Sequence, residues 1–209
     1  MTSDLAWQPS LLDGALDASA VSFDREFTGL RRQHLERGAW LDLAPRWCTG
    51  ADVLFARLLA EVPWRGPREV RMYDRRVVEP RCTYRWHTGS GPPAPDPLPA
   101  MAVCLSERYG VEFTQIGVNL YRDGADSVAW HGDRVARDLP EALVALVSLG
   151  AVRPLRLRPT GGGAGIGLLP GPGDLLVMGG SCQRTWQHSV PKVRAAAPRI
   201  SVQFRHVYQ

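Results

Sequence analysis

From residue 111 onward, hydrophobic and polar residues alternate in short runs separated by glycine-rich turns. This period of two is typical of β-strands that bury one face in a core. Two shorter runs nearer the start, VSFDREF and AWLDLAPRW, follow the same pattern. The strands predicted after residue 111 are EFTQIGVNLYR, ALVALVSLG, RPLRLRP, GDLLVMGG and PRISVQFRHV.

Two other segments have the helical period. TGADVLFARLLAEVPW predicts a helix with Thr49 as its N-cap and Pro63 at its end, and AMAVCLSERYG predicts a second helix that Gly110 terminates. Two helices followed by many short strands favour helices packed on an all-β sandwich or barrel. No predicted strand leads through a glycine-rich loop into a helix, which argues against a nucleotide-binding α/β fold.

The composition of the chain is that of an ordinary globular protein. Its 209 residues, 44% of them hydrophobic, fit a single domain, and a net charge of +4 favours a polyanionic partner only mildly. The four cysteines form no C-x-x-C pair, so we expect neither a zinc ribbon nor disulfides, and a reducing compartment. Without a long apolar run or a signal-peptide pattern, we expect a cytoplasmic monomer that does not span a membrane.

The last predicted strand, RISVQFR, has two chemically distinct faces. Arg199, Ser201, Gln203 and Arg205 share one face, and the hydrophobic residues between them share the other, which we assign to the core. The two arginines attach to the chain roughly 20 Å apart, so they cannot grip one carboxylate together. Leaning inward, they are able to hold a small dianion by its two ends. The alternative is a solvated strand face.

Candidate metal ligands lie in two other segments. Asn119 and Tyr121 share one face of GVNLYR and offer an amide and a phenol to a carboxylate. Ten residues later come His131 and Asp133, a His-x-Asp motif, and far downstream TWQHSVPK contains His188. The motif is weak by itself. Together with a distant histidine, however, it matches the facial triad of non-haem iron(II) oxygenases, which leaves three coordination positions open.

These stretches resemble the AlkB family of 2-oxoglutarate- and iron(II)-dependent nucleic-acid dealkylating dioxygenases. The matching segments, in the family's order and spacing, are NLYRDGADSVAWHGD, QHSVPK and APRISVQFR. The resemblance extends from about Trp64 to the C-terminus. It implies an α+β, mainly β fold, namely a double-stranded β-helix (jelly-roll) with flanking N-terminal helices and a nucleotide-recognition lid.

The resemblance also implies the cofactors and the reaction. His131, Asp133 and His188 are the implied ligands of Fe(II). The implied co-substrate is 2-oxoglutarate, which is oxidatively decarboxylated to succinate while the alkyl carbon on a base is hydroxylated and then released as an aldehyde. The implied substrate is DNA with methylated or etheno bases. The same chemistry on RNA or on a protein, and a catalytically silent nucleic-acid-binding module, are the alternatives.

Five residues are the implied 2-oxoglutarate-binding set. Arg199 and Tyr121 would hold the distal carboxylate, and Arg205 and Asn119 the carboxylate beside the metal. Ser201, the fifth, stands where the family often has Asn. Because silent relatives should lose a ligand or an arginine, the complete set argues against the silent module.

The segment REVRMYDRRVVEPRCTYRW interleaves arginines, which suit phosphates, with aromatic residues, which suit bases. In the family this region forms the lid. We place the lid at about 64–99, after an N-terminal arm and helix at about 1–63 and before a catalytic core at about 111–209, within one dioxygenase domain. The predicted nucleic-acid- or base-binding residues are Trp86, Tyr84, Tyr73, Arg76, Arg81 and Arg134.

Within this set, Trp86 with Tyr84 is the predicted stacking wall for the base, and Tyr73 the predicted finger in the duplex. Alternatively, these aromatic residues belong to a small satellite core. One departure from the family affects selectivity. Many relatives have a further acidic residue just after the aspartate ligand, whereas Arg134 and Val135 follow here. A cationic methylated base would lack that charge partner, so we expect a preference for neutral lesions such as etheno adducts.

Overall fold

Antiparallel strands dominate the computed structural model, which describes residues 21–66, 69–72, 75–78, 80–133, 135 and 139–206, with only the backbone described in 69–72 and 75–78. The helices are α1 Ala51–Glu61, α2 Leu98–Tyr109 and the single turn α3 Cys182–Thr185. The strands are β1 Ser22–Phe23, β2 Arg31–His34, β3 Ala39–Ala44, β4 Cys48–Thr49, β5 Glu69–Met72, β6 Arg75–Val78, β7 Cys82–His87, β8 Gln115–Tyr121, β9 Val128–His131, β10 Val144–Gly150, β11 Leu155–Pro159, β12 Ile166–Leu168, β13 Leu175–Gly180, β14 Trp186–Val190 and β15 Arg199–Arg205.

Two sheets form the central sandwich. The larger has seven strands in the order β2-β3-β13-β10-β15-β8-β7, and the smaller has four in the order β12-β11-β14-β9. A cluster of buried hydrophobic residues from both sheets, including Leu146, Leu157 and Met178, fills the space between them. The predicted strands are therefore present, and they form the predicted sandwich of antiparallel strands.

The two longer helices cover the outer face of the large sheet. Leu54, Phe55 and Leu58 of α1 and Met101 and Leu105 of α2 are fully buried in one cluster with the hydrophobic residues of that face. This burial follows from helical spacing, which places such residues on one side of each helix. The helices therefore cover one face of the large sheet, and the opposite face is available for the site.

The predicted ends of the helices are partly correct. Gly110 caps α2 in the left-handed conformation with φ 65°, as predicted. The N-cap of α1, however, is Gly50 with φ 63°, and the prediction of Thr49 is wrong. The Thr49 hydroxyl instead lies 2.8 Å from the Ser22 hydroxyl, where β1 pairs with β4. Because Gly50 lies between Thr49 and the first helical residue, Ala51, the Thr49 side chain stays with the strand pairing.

All four cysteines are buried free thiols, in agreement with the expectation of no disulfides. Burial raises the pKa of the Cys48 and Cys182 thiols to about 12, so both are protonated and unreactive at neutral pH. Among the helices of the described residues, none has the length and apolarity that a membrane crossing requires.

Candidate active site

Two histidines from distant parts of the chain meet on the small sheet. His131 ends β9, His188 lies in the middle of β14, and the two residues are directly paired across the strands. Their ring centroids are 4.2 Å apart. Asp133 follows two residues after His131, and its Oδ2 lies 3.9 Å from the Nε2 of His188. The structure thus brings together the three side chains of the predicted triad.

The protonation of this group suits metal ligands. Burial, with a smaller effect of neighbouring His131, lowers the pKa of His188 to about 3. Burial raises the pKa of Asp133, but nearby Arg205 and then the two histidines outweigh it and bring the pKa down to about 2. His131 donates a hydrogen bond from Nδ1 to the Ala129 carbonyl oxygen at 2.8 Å, so Nε2 is the ring nitrogen left to face a metal. At neutral pH His188 is therefore a neutral imidazole and Asp133 an ionised carboxylate.

The donor set fits ferrous iron, although the three neighbouring side chains do not enclose one metal position. In the described residues, no three histidine, cysteine, aspartate or glutamate side chains surround one metal position. The carboxylate of Asp133 instead pairs with Arg205, whose Nη2 lies 3.2 Å from Oδ1. Two imidazoles and one carboxylate on neighbouring positions are nevertheless the donor types that non-haem iron prefers.

The row of polar residues on β15 faces the same space. Ile200, Val202 and Phe204 are fully buried in the core beneath the helices, as predicted. Their neighbours Arg199, Ser201, Gln203 and Arg205 line a cavity of about 490 Å³ that also reaches His131, Asp133 and His188. Strand alternation therefore separates core from site along this strand.

Strand β8 supplies the partners of this row. Arg199 pairs with Tyr121, and Ser201 pairs with Asn119. Only 1% of the Arg199 surface is exposed, and its Nε donates to the Ser148 hydroxyl at 3.0 Å. No carboxylate pairs with Arg199 among the described side chains. A buried guanidinium without an anion is costly, so this end of the cavity is suited to bind a carboxylate.

A glycine gives these side chains room. Gly117 pairs with Gln203 on β15 and with Arg85 on β7. A Cβ on Gly117 would lie 3.3 Å from Arg205 Nη1 and 3.3 Å from Gln203 Oε1. Sequence reasoning did not identify Gly117, because its importance depends on which strand residues it faces.

The predicted stacking residue Trp86 lies elsewhere. Its indole is 8% exposed and belongs to the core cluster beneath the helices, while Thr83, Arg85 and His87 on the same strand line the cavity. Strand alternation explains the difference, since the apolar residues of β7 face the core. The position of Trp86 does not fit a stacking wall and corresponds to the alternative of a core residue.

The remaining lid predictions are distributed as follows. The Tyr84 ring packs edge-on against Trp86 with centroids 4.9 Å apart, although Tyr84 also contributes to the cavity lining. Arg81 lines the cavity. Tyr73 and Arg134 lie outside the described residues, and Arg76 is described only in its backbone.

The charge of the cavity was only partly foreseen. Among its described lining residues are the following five arginines: Arg65, Arg81, Arg85, Arg199 and Arg205. Asp133 is the one carboxylate among the described lining residues, and Arg205 contacts it. The cavity is therefore strongly electropositive and suited to anionic ligands.

Comparison with known proteins identifies the family. A model described as the 2OG-Fe(II) oxygenase superfamily matches residues 49–205. The chain belongs to the 2OG-Fe(II) oxygenase superfamily. The cofactors of this superfamily are Fe(II) and 2-oxoglutarate, as the sequence resemblance implied.

Curated relatives support the resemblance to the AlkB family. Alpha-ketoglutarate-dependent dioxygenase alkB homolog 3 of Bos taurus is 32% identical over 182 residues, which cover 76% of this chain and 62% of that protein. DNA oxidative demethylase ALKBH2 of Arabidopsis thaliana is 29% identical over 192 residues, covering 73% and 61%. This oxygenase thus spans about three fifths of the length of these relatives.

Solved structures confirm the jelly-roll fold. The structure of OsALKBH1 covers 83% of this chain and 100% of its own, with a TM-score of 0.58 and 14% identity. A Pseudomonas putida prolyl-4-hydroxylase covers 87% of this chain and 94% of its own, with a TM-score of 0.52 and 17% identity. At such low identities the likeness concerns the fold alone.

Proposed function

We propose that this oxygenase is an oxidative dealkylase that removes methyl or etheno groups from bases in DNA, using Fe(II), 2-oxoglutarate and O₂ and releasing succinate, CO₂ and an aldehyde. The observation that carries the proposal is the shared cavity. Two histidines of the small sheet, the aspartate that follows β9 and a buried arginine of the large sheet all line it. The names of the relatives, which include a DNA oxidative demethylase, support this choice of substrate.

In this proposal, His131, Asp133 and His188 hold the metal. When bound, iron and 2-oxoglutarate would activate O₂ for hydroxylation of an alkyl carbon, with 2-oxoglutarate itself oxidised to succinate and CO₂. The low pKa values of Asp133 and His188 keep both groups ready to bind metal without first losing a proton. The hydrogen bond from His131 to Ala129 keeps the proton on Nδ1 and directs Nε2 away from the backbone.

The co-substrate lies, in this proposal, along the row from Arg199 to Arg205. Arg199 and Tyr121 bind the distal carboxylate, because this end is buried and lacks an anion. Arg205 and Asn119 bind the carboxylate near the metal, where Arg205 is already beside Asp133. Ser201 is directly paired with Asn119 and lines the space between the two arginines.

The substrate approaches, in our proposal, along β7 at the edge of the large sheet. Arg65, Arg81 and Arg85 give this wall its positive charge, which suits the phosphates of a nucleic-acid strand. We retain residues from about 64 to 99 as the nucleotide-recognition lid and residues from about 111 to 209 as the catalytic core. The excess of arginine over carboxylate also supports a preference for uncharged alkylated bases over cationic ones.

A panel of alkylated DNA and RNA oligonucleotides tests the function. Each is incubated with the purified protein, Fe(II) and 2-oxoglutarate, and mass spectrometry follows loss of the alkyl group while succinate is measured. We expect dealkylation of DNA that requires both cofactors and is abolished in His131→Ala, Asp133→Ala and His188→Ala. Turnover of the RNA alone would reassign the substrate, and DNA binding without turnover would support the silent module.

A further inference from the structure

The short helix α3 lies directly behind the turn that carries Asp133. Gln183 on this helix is 6% exposed, and its Oε1 accepts a hydrogen bond from the backbone N–H of Asp133 at 3.0 Å. The backbone carbonyl of Gln183 also approaches Gly132 so closely that a Cβ there would lie 2.9 Å from its oxygen. Gln183 therefore constrains the backbone at both Gly132 and Asp133.

The next residue of α3 holds the chain beyond Asp133. Arg184 donates from Nη2 to the Val135 carbonyl oxygen at 2.8 Å and from Nε to the Leu139 carbonyl oxygen at 3.1 Å. Two consecutive residues of α3 thus hold the backbone on both sides of Asp133. The same turn leads directly into β14, which carries His188. The segments of the aspartate and of the second histidine are therefore connected through α3.

Among the described residues, only the oxygen of the Gln183 side-chain amide makes a hydrogen bond. Its Nε2 is buried and has no hydrogen-bond partner among the described residues. Such an unsatisfied donor costs about 1–3 kcal/mol, and a hydrophobic side chain of similar size would avoid that cost. What the glutamine supplies at this position is the acceptor for Asp133.

We infer that Gln183 is a positioning residue, which sets the location of the Asp133 carboxylate relative to the two imidazoles and thereby tunes metal affinity. The inference rests on the proposed function, in which Asp133 is a metal ligand. Arg184 supports it by fixing the chain that follows. Partners that orient a metal ligand typically change affinity by about 10- to 100-fold when they are removed. We expect an effect of that size here.

Titration of the purified protein with Co(II), followed by the visible absorption of the bound ion, tests the inference. This absorption reports coordination geometry and needs no turnover. Gln183→Leu removes the acceptor and Gln183→Asn withdraws it by one methylene, whereas Gln183→Glu retains it. The matched control is Gln187→Leu, because Gln187 lies in the same segment but accepts its hydrogen bonds from Arg158.

We expect Gln183→Leu and Gln183→Asn to weaken Co(II) binding at least about tenfold and to change the absorption spectrum, while Gln183→Glu and Gln187→Leu stay within about threefold of the wild type. Thermal unfolding without metal shows which variants fold, and if Gln183→Leu does not, the comparison of Gln183→Asn with Gln183→Glu decides. If Gln183→Asn has the Co(II) affinity and spectrum of the wild type, the inference about Gln183 is overturned while the proposed metal site stands. A wild-type protein that binds no Co(II) would overturn the proposed metal site, and the inference with it.

Discussion

The guanidinium of Arg199 lies 5.4 Å from the centroid of the Tyr121 ring, and the two residues are directly paired across β15 and β8. The Arg153 guanidinium lies 5.7 Å from the same centroid. Arg153 is fully buried and donates to the carbonyl oxygens of Asp123, Asp126 and Pro191. Arg153 is thus engaged with the backbone, whereas Arg199 has no anionic partner among the described residues.

We therefore predict that Arg199 determines the affinity for 2-oxoglutarate. Arg199→Met should raise KM for 2-oxoglutarate roughly 10- to 100-fold, because a hydrogen bond to a charged group contributes about 1.5–3 kcal/mol. Steady-state kinetics with varied 2-oxoglutarate measure this effect. Arg158→Met is the control, since Arg158 packs over Trp130 and is not part of the cavity lining. An unchanged KM in Arg199→Met would remove this residue from the co-substrate site.

Gly117 provides a second prediction about the co-substrate site. A valine here would press against Arg205 Nη1 and Gln203 Oε1, because even a Cβ would lie 3.3 Å from each. Gly117→Val should raise KM for 2-oxoglutarate about tenfold while the protein stays folded, since valine is favourable in strands. Gly167→Val is the control, because a Cβ on Gly167 has no atom within 4 Å. Equal KM values for the two variants would contradict the prediction.

The charge of the cavity predicts the preferred lesion. In matched oligonucleotides, ethenoadenine should be repaired faster than N1-methyladenine and N3-methylcytosine, whose positive charge is repelled by the arginines of the cavity. At roughly 8 Å with an effective dielectric constant of about 20, one such charge costs about 2 kcal/mol. Initial rates measured under identical conditions give the comparison. Equal or higher rates on the two methylated bases would refute the preference.

The same prediction can be tested by reversing one charge. Arg85→Glu replaces a positive charge on the cavity wall with a negative one, and it should narrow the rate difference between neutral and cationic lesions more than about tenfold. Arg156→Glu makes the same change at an exposed residue of β11 that is not among the residues lining the cavity, and it should leave the ratio unchanged. If both variants shift the ratio equally, the effect comes from overall charge and not from the cavity.

Stability should depend on pH through His206. Burial, and then the nearby charge of Arg184, lower the pKa of His206 from 6.5 to about 4. As the pH falls through 6.5, the unfolded chain takes up a proton that the folded protein refuses until about pH 4, so stability decreases over this range. Between pH 7 and pH 5 the loss is about 2 kcal/mol.

Urea denaturation at pH 7 and pH 5 measures that loss. His206→Asn should remove about 2 kcal/mol of the difference between the two pH values. His34→Asn, at an exposed position on β2, should retain it. A His206→Asn protein with the wild-type dependence on pH would show that other groups cause it.

Alternation along single strands was predictable from the sequence. The two faces of β15 were assigned correctly, because a strand that carries arginines on one side and large hydrophobic residues on the other allows only one orientation. The same rule, applied to CTYRWH, would have placed Trp86 in the core with Cys82. The prediction for Trp86 went wrong because its aromatic character was given more weight than its position.

Contacts between distant segments were beyond the reach of single-strand patterns. Gln183 contacts Asp133 across 50 positions in the chain, and the predicted role of Gly117 depends on its pairing with Gln203 on β15. Neither residue belongs to a recognisable motif. Their roles depend on strand register and on the path of a loop, and both of these emerge only when the whole chain packs.

The two proposed histidine ligands and the proposed co-substrate residues belong to different sheets. His131 and His188 lie on the small sheet, whereas Arg199 and Asn119 lie on the large one. We therefore expect metal binding and co-substrate binding to be largely separable in evolution and in engineering. Apart from Arg205, which contacts Asp133, substitutions on β8 and β15 should broaden the choice of keto acid without disturbing ion uptake. Changes on β9 and β14 should alter the preferred ion without rebuilding the acid's binding groove.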